Sequence, residues 1–209
     1  MSAREPLTLV IDTATPACSV ALLAGGVVVA EAYEVVGRGH AERLVPMIQD
    51  LLGGRVPEAI LVDCGPGSFT GVRVGVAAAQ GLRIGWRGIP LAGYSSMALL
   101  AAAAAAEPGA ATGVALLAGH GQIFVQSFGD DPLRPLDPLR SLAPEDAAAQ
   151  LDARLVIGSG AHALVAARGW GEAREALPRA ADARLLPDAL RALAAKPIYG
   201  RAPDARLPA

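Results

Sequence analysis

Three short apolar runs open the chain, over residues 7–12, 18–23 and 27–31, and turn-forming pairs at Thr15-Pro16 and Gly25-Gly26 separate them. Apolar runs of this length between turn residues read as strands. Gly25-Gly26 suits a two-residue hairpin turn, because both positions take positive φ without a Cβ penalty. The opening therefore predicts an antiparallel meander. From His40 the spacing becomes helical, with Leu44, Met47, Ile48, Leu51 and Leu52 on one face and Glu42, Arg43, Gln49 and Asp50 largely off it. Pro46 lies inside that helix, where it donates no hydrogen bond and is expected to kink it or limit its first turns. Residues 59–64 read as a buried strand and 65–68 as a loop opening a helix to about Leu82. Residues 91–94 form a short strand, and a further helix runs through Ala106.

Glu107-Pro108-Gly109 ends this first half, which predicts one lobe over residues 1–107 and a second over 108–209. The second half restarts with a strand pair, 113–118 and 122–128, around Gly119-His120-Gly121, and a proline-rich connector follows over 131–138. A short helix near 144–150, a strand at 154–157 and helices around His162 and over 188–195 complete it. Strands lead helices in both halves, so the class is α/β. The halves look alike in architecture without detectable sequence repetition.

Composition narrows the setting. With 209 residues, 53% apolar and 18% charged, the chain has the profile of a globular protein and not of a disordered one. Alanine is abundant and Lys196 is the only lysine; both biases read as genomic composition. The formal net charge of −2 lacks the basic balance of a protein that grips tRNA phosphates alone. Cys18 and Cys64 are the only cysteines; without a CxxC pair or a His cluster they fit buried small hydrophobes in a reducing cytosol better than a zinc site. The longest strongly apolar stretch, 97–106, is half of the roughly 20 residues that a membrane span needs. The first six residues show no secretory pattern. A soluble, cytoplasmic protein without membrane association is expected.

The first candidate site is the turn Asp12-Thr13-Ala14-Thr15. It resembles the Asp-x-Gly-Thr turn of the actin-like and DnaK-chaperone ATPases, where backbone amides approach a nucleotide phosphate and the aspartate handles metal and water. Here Ala14 holds the glycine position, which adds a methyl group and removes easy access to positive φ. Two readings stay open: Asp12 caps the turn through local amides, or Asp12, Thr13 and Thr15 with Gly158 and Gly160 keep a degenerate nucleotide site. The second candidate is Gly65-Pro66-Gly67-Ser68-Phe69-Thr70-Gly71-Val72-Arg73. It is neither a Walker A loop, a GxGxxG fingerprint nor a GxSxG elbow. It encodes a tight turn, an N-cap at Ser68 or Thr70, and a helix with Gly71 and Gly75 one turn apart, followed by Ala78 and Ala79. Such a face admits another helix closely. On spacing alone it serves internal packing and a partner-facing seam equally well. His40, beside Glu42 at a helix start, suits helix-end packing or a partner contact better than general-base catalysis.

IDTAT at 11–15, SVAL at 19–22, HAERL at 40–44, GPGSFTGVRVG at 65–75 and Gln80-Gly81 resemble, in order and spacing, the TsaB (YeaZ) family of tRNA-modification partner proteins. The second half resembles it more loosely, through GHGQIFVQSF, Gly158-Ser159-Gly160 and Pro197-Ile198-Tyr199. The resemblance implies an actin-like, DnaK-chaperone-like two-lobed fold, each lobe a mixed sheet flanked by helices. It implies a non-catalytic partner or activator of a TsaD-type transferase that forms threonylcarbamoyladenosine next to the anticodon of tRNAs reading ANN codons. A TsaE-type ATPase would be a further partner, tRNA would be reached through the complex, and the free chain could form a homodimer. The paralog's metal-binding His-x-x-x-His falls on GYSSMALLAA, so Ser96 and Leu100 stand at the histidine places, and neither replaces an imidazole. No metal or cofactor is expected in this chain, and any ATP or ADP would lie at a shared interface. Where family members usually read Asp-Ala-Arg, this chain has Leu117-Ala118-Gly119 before His120, leaving no carboxylate at Leu117. The expected partner-binding residues are His40, Leu44, Ile48, Leu52, Gly71, Arg73, Gly75 and Ala78. The rival readings are an active actin-like ATPase or small-molecule kinase built on Asp12 and residues 158–160, and a homodimeric structural protein using the same helix seam.

Overall fold

A computed structural model describes residues 5–104, 110–130 and 133–200. The opening meander forms β1 (Leu7–Asp12), β2 (Ala17–Ala24) and β3 (Val27–Val35), followed by α1 (His40–Leu52), β4 (Ala59–Asp63), α2 (Phe69–Gly85), β5 (Leu91–Tyr94) and α3 (Ser96–Ala103). The sheet order is β3-β2-β1-β4-β5, antiparallel through the meander and parallel across β1, β4 and β5. The second half forms β6 (Thr112–Gly119), β7 (Gln122–Asp130), β8 (Leu133–Pro135), β9 (Arg140–Leu142), α4 (Pro144–Ala148), β10 (Leu155–Ile157), α5 (Ala161–Arg168) and β11 (Glu172–Arg174). Its order, read in the same sense, is β8-β7-β6-β10-β11, with β9 beside β7. Strands β6, β10 and β11 are parallel. One topology is thus used twice, a meander and then two crossovers, which is the likeness read from sequence. The expected two-lobed, actin-like α/β fold is present as two mixed sheets flanked by helices. The predicted lobe boundary at residues 107–109, the predicted end of α3 at Ala105 and Ala106, and residues 131–132 of the connector lie outside the described residues.

Strand alternation sends side chains to opposite faces, and three apolar layers result. Leu9, Ile11, Val20, Leu22, Ile60 and Val62 face one way, onto the buried stripe of α1 and onto α2. Val10, Ala21, Leu23 and Leu61 face the other way, where α3 fills the space between the sheets together with Val114, Leu116, Phe124 and Phe128 of the second sheet. Ala115, Ile123 and Val125 face outward onto α4 and α5. A helix as apolar on all sides as α3 needs such a doubly covered place.

The halves are interwoven. A 3₁₀ segment, Ala180–Leu185, which periodicity did not reveal, packs on β1, β2 and β3 with Ala180 and Ala183 fully buried. Its entry is held by the Ala180 amide donating to Ser19 Oγ at 2.9 Å. The helix expected over 188–195 is a single 3₁₀ turn, Asp188–Leu190. Beyond it the backbone of Leu193 exchanges both hydrogen bonds with Gly93 on the β5 edge, and this pairing overrides the strong helix preference of the local Ala, Leu and Arg residues. Pro46 does not interrupt α1; it and Glu42, whose carbonyl it leaves without an amide, are both on the exposed face.

The filled layer between the sheets leaves no room for added volume. Ala183→Leu should lower the unfolding free energy by about 1–3 kcal/mol, whereas Ala77→Leu, at an exposed position of α2, should stay within about 0.5 kcal/mol. Urea denaturation of the two variants compares them directly.

Candidate functional site

The two motif segments dock on each other. Ser68 caps α2 by accepting from the Gly71 amide at 3.2 Å, and the Ser68 amide donates to the Ala14 carbonyl at 2.6 Å. Thr13 Oγ1 donates to the Gly71 carbonyl at 2.7 Å. A Cβ at Gly67 would collide with the Ala14 carbonyl oxygen, one at Gly71 with the Thr13 carbonyl oxygen, and one at Gly75 would sit 2.5 Å from Thr13 Oγ1. The glycines exist so that the first turns of α2 can lie against the β1–β2 turn. The second lobe repeats the device: Gly158, at φ 121°, and Gly160 lie against Ala115 of β6, and the Gly160 amide donates to the Ala115 carbonyl at 2.9 Å.

The same turn is gripped from α1. His40 is buried, and its Nε2 lies 2.8 Å from the Thr15 carbonyl oxygen and 3.3 Å from that of Ala17. A carbonyl only accepts, so Nε2 carries the proton and donates to the turn. Several expected partner contacts are therefore corrected. His40, Leu44, Ile48 and Leu52 are buried in the chain's own core. Gly71 and Gly75 face Thr13 and not the outside. Arg73 is exposed but lies over the Phe69 ring, with Nε donating to Tyr199 Oη at 3.0 Å. Ala78 is half-buried against the same core, and the outward stripe of α2 runs through Ala77, Gly81 and Ile84.

Beneath the turn two carboxyl groups share a dry site. Asp12 and Asp63 are buried and hydrogen-bonded to one another. Tyr94 Oη donates to Asp12 Oδ2 at 3.1 Å; Ser96 Oγ and the Gly65 amide donate to Asp63 at 2.5 and 2.7 Å. Burial raises both carboxyls, and Asp63 is pushed well above the usual carboxylate range by burial and then by the Asp12 charge. Two anions cannot coexist there, so Asp63 keeps the proton and donates it to Asp12. Burial, followed by the neighbouring carboxylates, also holds the Tyr94 hydroxyl protonated. Cys18 and Cys64 are buried thiols pushed up to about 11 by burial.

Between the lobes, outside the carboxyl ends of β1, β4, β6 and β10, lies a cleft of about 770 Å³. Equivalent turns of the two lobes face each other across it: Thr15-Pro16 and Leu117-Ala118-Gly119 from the meanders, Gly67-Ser68 and Ser159 from the crossovers. Of the residues expected to touch a nucleotide, Thr15 lines the cleft, while Asp12 and Thr13 are buried behind it and Gly158 and Gly160 are spent on packing against β6 and β7. At the places of the paralog's metal histidines, Ser96 serves Asp63 and Leu100 is core. His120 takes φ 52° in its turn and Leu117 is exposed. Among the described residues no group of three His, Cys, Asp or Glu side chains is arranged to hold a metal.

A family model described as "TsaD: tRNA N6-adenosine threonylcarbamoyltransferase" matches residues 20–167. A solved Pseudomonas aeruginosa protein, described as uncharacterized with similarity to peptidase YEAZ, is 32% identical with a TM-score of 0.77, and the match covers 94% of this chain and 100% of that one. YeaZ from Pseudomonas aeruginosa gives 33%, 0.76, 93% and 99% in the same terms. This chain belongs to the TsaB (YeaZ) family. The tRNA threonylcarbamoyladenosine biosynthesis protein TsaB of Escherichia coli strain K12 is 40% identical over 129 residues, 59% of this chain and 55% of that protein. The chain spans about half the length of the curated relatives it matches.

The TsaB motifs thus mark an internal joint. Missed by sequence reasoning were Asp63, which no motif singled out, and the outward stripe of α2. The helix carries two small-residue stripes, one through Gly71 and Gly75 and one through Ala77 and Gly81, and helical spacing presents both equally.

Two outcomes follow from this geometry. Gly75→Leu drives a side chain into Thr13 and should lower stability by more than about 3 kcal/mol or prevent folding; a soluble variant with an unchanged melting curve would contradict the joint. Asp63 has a folded value above its ordinary one, so its contribution is fully present below the ordinary carboxylate value of about 3.9 and is lost as pH rises through the folded value. Asp63→Asn keeps a donor toward Asp12 with no proton to lose. Its melting temperature relative to the parent should therefore climb between pH 5 and pH 8, by about 2–4 °C per kcal/mol. A difference that does not change with pH would rule out the shared proton.

Proposed function

We propose that this chain is a non-catalytic partner of a TsaD-type threonylcarbamoyltransferase, needed for threonylcarbamoyladenosine next to the anticodon of tRNAs reading ANN codons. The observation that carries the reading is the outward face of α2. There Ala77 and Gly81 are exposed, a Cβ at Gly81 or Gly85 would meet nothing within 4 Å, and Ile84 is 79% exposed. Val45 of the adjacent α1 is 56% exposed. Small residues flanked by bare aliphatic ones let another helix approach closely. The names of the curated relatives and of the matching family model support the pathway. The internal use of Asp12, Thr13 and His40 supports placing the chemistry on the partner.

In this reading ATP or ADP sits at the interface with the catalytic subunit, a TsaE-type ATPase joins the assembly, and the setting is the cytoplasm. A net charge of −2 favours reaching tRNA through the complex. Among the described residues no helix is long and apolar enough to cross a membrane. The same outward face serves two-fold self-association of the free chain, since a flat small-residue stripe is self-complementary.

The test is reconstitution of the tRNA modification with and without this chain, alongside an Ala77→Arg, Gly81→Arg double variant. The variant should keep its melting temperature, fail to co-purify with the TsaD-type subunit and lower modification at least about tenfold, a loss of 1.4 kcal/mol or more. Full modification without the chain, or full rescue by the variant, would overturn the reading. ATP hydrolysis by the isolated chain that disappears in Asp12→Asn would replace it with the ATPase reading.

A further inference from the structure

The polar groups lining the cleft share a bias. Thr15 Oγ1 accepts from the Ala17 amide, Ser68 Oγ from the Gly71 amide, Ser159 Oγ from the Leu117 amide and Tyr199 Oη from Arg73 Nε. Each hydroxyl has its oxygen engaged by a protein donor, and none donates its own proton to a described residue. Arg73 is the one charged residue among the lining side chains; its guanidinium carbon lies 3.6 Å from the Phe69 ring centroid. Among the described residues no carboxylate pairs with it and none lines the cleft. The side-chain polar groups described at the cleft are thus one guanidinium and four hydroxyls whose protons are unspent.

The remaining wall is apolar. Val72 and Ile198 come from the first lobe and its returning strap, Leu116, Leu117 and Phe124 from the second sheet. Leu117 is 61% exposed at the cleft rim and extends the apolar wall to the mouth. At about 770 Å³ the space is in the range of small-molecule sites, roughly 300–1,000 Å³.

We propose that this cleft binds an organic anion with an apolar body, a carboxylate or comparable acceptor-only head on an aliphatic or aromatic frame. The head meets the Arg73 guanidinium and the hydroxyl protons of Ser68, Thr15, Ser159 and Tyr199. The frame lies along Val72, Leu116, Phe124 and Ile198. A magnesium nucleotide fits poorly, because the metal has no carboxylate to meet. A cation meets the Arg73 guanidinium and no carboxylate among the described lining residues. The lining residues come from both lobes, so occupancy ties the lobes together and should stabilise the chain against unfolding.

Dodecanoate is the probe, titrated into the full chain by calorimetry and by displacement of 8-anilinonaphthalene-1-sulfonate. One dodecanoate should bind per chain and raise the melting temperature. Dodecan-1-ol, with the same tail and no charge, should bind at least about tenfold more weakly. Arg73→Met should weaken dodecanoate at least about tenfold, and Leu117→Glu, which sets an anion on the rim, should abolish binding. Both positions are exposed, and melting curves of the unliganded variants check that the fold is intact. The proposal is overturned by absence of saturable binding up to about 1 mM, by binding that ignores both substitutions, or by equal affinity for the alcohol. Displacement of the probe by ATP with magnesium but not by dodecanoate would also overturn it, and would return the cleft to the nucleotide reading.

Discussion

The structure turns on the close approach of the first turns of α2 to the β1–β2 turn. Three glycines, Gly67, Gly71 and Gly75, remove the side chains that would separate them. Two hydrogen bonds, Ser68 amide to Ala14 carbonyl and Thr13 hydroxyl to Gly71 carbonyl, then join the two segments across the gap. His40 closes the turn from the other side by donating to Thr15. Helices α1 and α2 are thereby locked to one turn. What remains outside is whichever face of each helix that turn does not use.

This joint explains two functional features together. It consumes the backbone donors that a phosphate would need at the turn: the Ala14 amide donates to Asp12 and the Ser68 amide to the Ala14 carbonyl. Asp12 itself is withdrawn into a shared-proton pair with Asp63, supported by Tyr94 and Ser96. The joint also rotates α2 so that Ala77, Gly81 and Ile84 face outward, making a bare helix face of the kind another helix can cover. A chain with its own turn chemistry closed and a helix face open is suited to complete another protein.

The cleft follows from the doubled topology. Each lobe brings a meander turn and a crossover turn to the carboxyl ends of its parallel strands, where ligands of open α/β sheets bind. The two lobes fill this position with the same backbone device, since Gly158 and Gly160 pack on β6 and β7 as Gly67 and Gly71 pack on the β1–β2 turn. The lining between them is set by side chains that differ between the lobes, and these are apolar or donors.

Strand and helix placement was largely legible because it rests on local periodicity: the ranges of β1, α1 and β5 and the start of the second meander follow from spacing alone. The family was legible because its motifs are short contiguous segments. The short strands β8, β9 and β11 were not foreseen, and the helix expected over 188–195 and the unseen 3₁₀ segment at Ala180–Leu185 were misread because pairing to Gly93 and burial between sheets decided them and not local preference. At the site, composition and order of residues determined that Gly71 and Gly75 share a helix face that something approaches closely. Only the tertiary structure decided that the approaching atoms are those of Thr13, that Asp63 meets Asp12, and that Ala77 and Gly81 look outward. The physical reason is that sequence spacing sets which residues lie on one side of a helix, whereas the rotation of that helix against the sheet is set by contacts between segments some sixty positions apart, such as Thr13 with Gly71.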